Sequence, residues 1–178
     1  MPDFTPWLER AAALAPLIQS RADESERERR LAADVVKAFH DAELFRLQIP
    51  ARFGGAGLDP AEALPVYEEV AAADGSAGWN LAIGAGGGAF AAMLDDADAL
   101  EEIVGSPRAL IAGSVNPMAL RVVPEAEGYR VSGRLRYASG VSQSNWLMAG
   151  GIVFDGAGAQ PRMTREGVPV IVGTFFPT

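Results

Sequence analysis

The most regular pattern along the chain is an alternation of period two between Gly128 and Gly140. Tyr129, Val131, Gly133, Leu135, Tyr137 and Ser139 share one parity; Arg130, Ser132, Arg134 and Arg136 share the other. The alternation predicts a β-strand with one face on a core and a cationic face toward water. Gly128 marks a turn into the strand, and Gly133 a bulge or a close backbone approach. Past the strand, Ser139, Gly140, Ser142 and Ser144 precede Trp146. Hydroxyl and backbone donors beside aromatics suit the flat, polar-edged ring of a cofactor. They also suit an ordinary hairpin, which on this stretch alone is the simpler reading.

Upstream the period is helical. Thr5 and Pro6 predict an N-cap and a first helical position, ahead of a stripe of Phe4, Trp7, Leu8, Ala11, Leu14 and Ile18. Ser20 to Arg30 carries dense charge of both signs and reads as a solvated turn and the start of the next helix. That helix carries Leu31, Val35, Phe39 and Ala42 at steps of three or four. His40 lies beside the stripe without a carboxylate–serine pattern, so it reads as structural. Pro50 predicts an extended exit from Glu43 onward, and Phe53-Gly54-Gly55 a turn.

Asp59 and Glu62 form a capping box for a third helix, with Leu64, Tyr67, Val70 and Ala71 as its inner face. Pro65 should kink its first turns. Ser76 is the predicted cap of a fourth helix over 77–94. Its Gly84-Ala-Gly-Gly-Gly-Ala89 has the spacing of a dinucleotide fingerprint. That fingerprint must follow a strand and open a helix, whereas these glycines lie in mid-helix among apolar residues. Each costs about 1 kcal/mol against alanine, so close packing against a helix or a ligand is the expected return. Asp95 or Asp96 caps a short helix to about Val104, stopped by Gly105-Ser-Pro107. From Leu110 the pattern is extended: 110–112, 120–123, 129–137, 146–153 and 168–176 read as strands. Helices followed by strands predict an α+β fold. The expected division is an amino-terminal α-helical domain over 1–107 and an incomplete antiparallel β-barrel-like domain over 108–178.

Bulk composition narrows the chemistry. The 178 residues are 49% apolar and 21% charged, with a net charge of −8. That balance argues against nucleic-acid binding, which clustered Lys and Arg drive. No cysteine and one histidine leave no thiol chemistry and argue against a metal site such as zinc. The start, Met1-Pro-Asp-Phe-Thr-Pro-Trp7, lacks a signal-peptide pattern. The glycine-studded run 77–94 reads as a buried helix, not a membrane span. A cytoplasmic protein with no membrane partner is expected.

Taken in order, several segments resemble the amino-terminal part of the acyl-CoA dehydrogenase superfamily of flavoenzymes. Leu44-Phe-Arg-Leu-Gln-Ile-Pro-Ala-Arg-Phe-Gly-Gly55 resembles its "Gly-Leu-(x)n-Pro-x-x-Tyr-Gly-Gly" segment. Tyr67 to Trp79, ending Ala-Asp-Gly-Ser-Ala-Gly-Trp, resembles the next helix and turn. Gly128 to Gly140 resembles "Gly-Tyr-x-Val-(Ser/Asn)-Gly-x-(Lys/Trp)-x-(Phe/Tyr)-x-(Thr/Ser)". Glu43 stands where the family has glycine, which makes a positive φ there costly. The dehydrogenase signature "Thr-Glu-Pro-x-x-Gly-Ser-Asp" is absent, its place taken by Ser114-Val-Asn-Pro-Met-Ala119. Tyr137-Ala-Ser-Gly140 is closer to the flavin-dependent monooxygenase branch, although Leu135 stands where that branch often has Trp.

The resemblance implies an oxidoreductase binding FAD or FMN, with monooxygenase chemistry through a flavin C4a-hydroperoxide. The alternatives are a true acyl-CoA dehydrogenase and a non-catalytic remnant that binds partners. It implies flavin contacts from Ala112, Ser114 and Asn116, and from Tyr137, Ser139 and Gly140. Asn116-Pro117 reads equally as a plain turn. Trp79 is expected at the helix–β interface near the substrate cavity, or as a packed core tryptophan. Full-length relatives carry a carboxy-terminal helical bundle that supplies the catalytic base and tetramer contacts. The chain is therefore expected to be a fragment, inactive alone, that either associates or binds flavin weakly or not at all, with apolar surface exposed on 77–94 and around Trp146. As partners, a flavin, a small-molecule substrate, a flavin reductase and further copies of the chain are expected.

Overall fold

The computed structural model describes residues 3–126, 128–156 and 158–178. Helix α1 (Thr5–Glu28) runs on where a turn was expected, and ends only when Arg29 turns left-handed at φ 55°. Its charged second half holds together through opposite charges, with Arg21 bridging to Glu24 one turn on and to Asp34 of the next helix. Thr5 is not the cap. Phe4 holds that position, and the Asp3 carboxylate accepts from the Thr5 N–H at 3.0 Å. Helix α2 (Ala33–Asp41) buries Val35 and Phe39.

The segment after α2 is not extended. Leu44–Arg46 and Ala51–Phe53 are 3-10 turns, because Leu44, Phe45, Leu47 and Ile49 all bury here. Pro50 restricts only its predecessor, and apolar burial decides the rest. Glu43 does adopt a positive φ of 60°, and its carboxylate takes a hydrogen bond from Arg10 at 2.6 Å. Arg46, almost wholly buried, donates to the carbonyls of Val104, Ser106, Gly54 and Phe53. One guanidinium thus ties this turn to the end of helix α5 (Ala97–Val104).

Helix α3 (Pro60–Ala73) opens on the expected capping box between Asp59 and Glu62. It buries Ala63, Val66 and Val70, so its inner face is rotated from the one expected; Leu64 and Ala71 are exposed. Helix α4 (Gly75–Ala91) is capped by Asp74, two residues before the predicted Ser76, through the Ala77 N–H at 2.7 Å. Asp96 caps α5.

Three glycines in the 84–88 run of α4 are sites of close approach. A Cβ on Gly84 would lie 2.6 Å from Leu110 Cδ1, on Gly87 2.6 Å from Ile111 Cβ, and on Gly88 2.7 Å from Ile49 Cγ1. The glycine run therefore lets the helix lie directly on the first strand and on the turn before Pro50. It follows helix α3 and not a strand, so it has no dinucleotide-binding context.

The five strands are β1 (Ile111–Ser114), β2 (Leu120–Glu125), β3 (Gly128–Gly133), β4 (Trp146–Val153) and β5 (Ile171–Pro177). They form one mixed sheet among the described residues. The expected antiparallel pairing holds for β2 with β3 and for β4 with β5. It does not hold along the other edge of β4, where β1 and then β2 pair in parallel. The reason is the 3-10 turn Pro117–Ala119, which joins β1 to β2 without reversing the chain. Strand β3 ends at Gly133, seven residues short of Gly140, and the chain from 134 to 140 leaves the sheet.

Candidate functional site

Helix α4 packs on strand β1 through Gly87 against Ile111, and the two part again on one side. The gap is a groove of about 370 Å³. Its helical wall is Trp79, Ala82, Ile83, Gly86, Gly87 and Phe90, one face of α4 at steps of three and four. Its other wall is β1 from Ile111 to Ser114, with Val115 and with Met148 of β4. Tyr137 and Ser139 close it from the segment after β3. Trp79, Phe90 and Tyr137 are large aromatics with much of their surface bare: 59%, 45% and 84% exposed. Within the sheet, β1 and β4 approach so closely that a Cβ on Gly113 would fall 1.9 Å from the Met148 carbonyl oxygen.

Five residues singled out in the sequence converge on this groove: Trp79, Ala112, Ser114, Tyr137 and Ser139. Ala112 is buried in the β1 wall, and Ser114 sits where that strand ends. The indole Nε1 of Trp79 donates to Ser139 Oγ at 3.0 Å. An indole N–H can only donate, so Ser139 is the acceptor and keeps its own hydrogen for a second partner.

Two of the expected residues lie outside the groove. Asn116 lines an adjoining hollow, and its Oδ1 accepts from Met118 N at 3.0 Å, capping the short turn into β2. Gly140 lies behind Ser139 in a left-handed turn at φ 80°, on a polar hollow shared with Arg29, Arg30 and Asn80. The expected bare surface on α4 is present in Trp79 and Phe90. Trp146 instead is half-buried against Ile111 and its neighbours.

Sequence reasoning missed Phe90, Ile83 and Met148. The first two could have been found, since 79, 83, 86 and 90 make a helical stripe. Attention to the glycines hid it. Met148 sits on a strand whose neighbours only the parallel pairing reveals.

Elsewhere, His40 packs at a tilt against Phe45, with ring centroids 4.9 Å apart, and its buried Nδ1 has no partner among the described residues. Burial, followed by the positive charge of Arg108, pushes its pKa below the ordinary value of 6.5. The groove of α4 and β1 lies away from it, which fits the structural role expected of this histidine.

Residues 11–99 match the acyl-CoA dehydrogenase N-terminal domain family. The chain is 34% identical over 164 residues to the flavin-dependent monooxygenase oxygenase subunit HsaA of Mycobacterium tuberculosis, covering 92% of this chain and 39% of that protein. The crystal structure of that enzyme superposes with a TM-score of 0.85 at 31% identity, covering 98% of this chain and 43% of that one. Indole-3-acetate monooxygenase of Pseudomonas putida is 35% identical over 124 residues, covering 68% of this chain and 31% of that protein. XiaF from Streptomyces, solved in complex with FADH2 and glycerol, superposes with a TM-score of 0.82 at 25% identity, covering 96% and 41%. The chain spans less than half the length of each of these proteins.

Proposed function

This chain belongs to the acyl-CoA dehydrogenase family through its amino-terminal domain, and we propose that it forms the flavin-facing part of a flavin-dependent monooxygenase. The convergence of Trp79, Ala112, Ser114, Tyr137 and Ser139 on one groove carries the reading. A flavin ring has an apolar benzenoid end and a hydrogen-bonding pyrimidine end. The groove's lining fits both, with alanine, isoleucine and glycine along α4 and hydroxyls at Ser114 and Ser139. The relatives' printed activities support the same class.

When bound, a reduced flavin supplies activation of dioxygen for transfer of one oxygen atom to an organic substrate. The protein's part is to orient the ring, to keep water away and to hold a proton where it is needed. Trp79 does the orienting: its N–H fixes Ser139 Oγ, so the Ser139 hydrogen points away from the indole and can be donated to a ring acceptor. Ile83, Phe90 and Val115 would cover the apolar end of a bound ring and keep water from it. Trp79 and Tyr137, being largely bare, can also meet an aromatic substrate edge-on or stacked.

The proposal extends to a flavin reductase as partner, since the HsaA relative is named as an oxygenase subunit. It includes division at about residue 107, assembly into homotetramers and a cytoplasmic setting. The test is a visible absorbance titration of FAD and FMN with the purified chain, followed by oxygen uptake with reduced flavin and a phenol. A perturbed flavin spectrum supports the reading. An unperturbed spectrum at saturating protein overturns it, and bleaching that needs an acyl-CoA would replace it with a dehydrogenase.

A further inference from the structure

The flavin groove opens, past Ser114 and Tyr137, into a second hollow of about 550 Å³. Its lining is Ser114, Asn116, Met118, Arg134, Arg136 and Tyr137. No acidic residue is among them, in a chain whose 23 carboxylates outnumber its 15 lysines and arginines. Neighbouring arginines are already committed. Arg130 pairs with Glu125 and Arg162 with Asp155. Arg121 donates to Gly156 O and stacks on Phe154. Arg134 and Arg136 form no ion pair among the described residues. Asn116 spends its Oδ1 on Met118 N, which leaves its amide hydrogens available.

We propose that this mouth is an anion subsite. Arg134 and Arg136, with Asn116, hold the phosphate or carboxylate of a ligand whose planar apolar part lies in the α4–β1 groove. The proposal rests on the groove being a site for a planar ring. Two uncommitted guanidinium groups over one hollow offer paired N–H donors of the geometry that carboxylate and phosphate accept. Their place beside hydroxyls and next to an apolar groove suits one ligand with two unlike ends. The anion can come from the flavin's own phosphate or from an acidic arm on the substrate.

The test compares two ligand pairs, FMN with riboflavin and indole-3-acetate with indole. Each is titrated against the wild-type chain and the double variant Arg134→Gln, Arg136→Gln at low ionic strength. In the wild type, the anionic member of a pair should bind about tenfold or more tightly than the neutral one. The double variant should lose that preference and keep the neutral member's affinity. Arg134→Lys, Arg136→Lys should retain part of it, which separates charge from local folding. A preference in the flavin pair assigns the anion to the cofactor; one in the indole pair assigns it to the substrate. Failure of both flavins to bind, with an arginine-dependent preference for indole-3-acetate, would remove the flavin reading and leave the subsite standing. No preference in either pair, or one that survives loss of both arginines, overturns the proposal.

Discussion

The indole nitrogen of Trp79 lies 3.0 Å from the hydroxyl oxygen of Ser139, 60 residues later in the chain. This bond joins the first turn of α4 to the segment that leaves the sheet after β3. It leaves the single hydroxyl hydrogen of Ser139 free for another acceptor, because the indole can only donate. Helix and loop are thereby tied together beside the candidate ring site.

Trp79 is more than half exposed, so its ring contributes little to the core. Trp79→Ala should lower stability by less than about 1 kcal/mol, against about 3–5 for a buried tryptophan. Urea unfolding monitored by circular dichroism measures this. A loss in the larger range would make Trp79 a packing residue and not a lining one.

Gly86 and Gly87 are neighbours with opposite predicted responses to alanine. A Cβ on Gly86 would meet only Gln48 Oε1 at 3.7 Å, an ordinary contact. Gly86→Ala should therefore stabilise the helix by up to about 1 kcal/mol while narrowing the groove. On Gly87 the same atom would sit 2.6 Å from Ile111 Cβ, so Gly87→Ala should destabilise by about 1–3 kcal/mol. Melting temperatures of the two variants, compared with wild type, decide the matter; equal shifts would contradict the close packing of α4 on β1.

How much of this could be read beforehand varied with the kind of interaction. The Asp59–Glu62 box and the helical and extended halves followed from local chemistry and motif order, whereas Trp79, Ser114 and Ser139 were named separately and only the fold brings them to one groove. The turn at 44–49 did not, because the burial of Phe45 and Leu47 by distant helices outweighs the extended bias that Pro50 gives its predecessor. The parallel pairing of β1 and β2 with β4 was hidden for a similar reason. Nothing local in Asn116-Pro117 says that the chain continues without reversing. Nothing in the sequence marks Arg46 as buried, and only the fold brings the carbonyls of Val104 and Ser106 to it.

His40 is the chain's single histidine, which makes its pH effect separable. Burial and Arg108 depress its folded pKa below 6.5, while Asp41 opposes them and Arg46 adds a smaller depression. The unfolded chain then binds the proton more readily than the folded one. Its stabilising contribution should be fully present above pH 6.5 and fall away as pH drops toward the folded value. Urea midpoints at about pH 7.5 and about pH 5.5 should differ in that sense. His40→Gln should flatten the difference, and an unchanged slope would assign it to other groups.

The most direct test of the account is a flavin fluorescence titration with wild-type chain and Ser139→Ala side by side. A ring seated between Trp79 and Tyr137 should lose its fluorescence to these aromatics in a saturable way. Loss of the one Ser139 hydrogen bond should weaken binding by about 1 kcal/mol, roughly fivefold. Wild-type chain that leaves flavin fluorescence untouched, or the same affinity in both proteins, would contradict the groove of α4 and β1 as the flavin site.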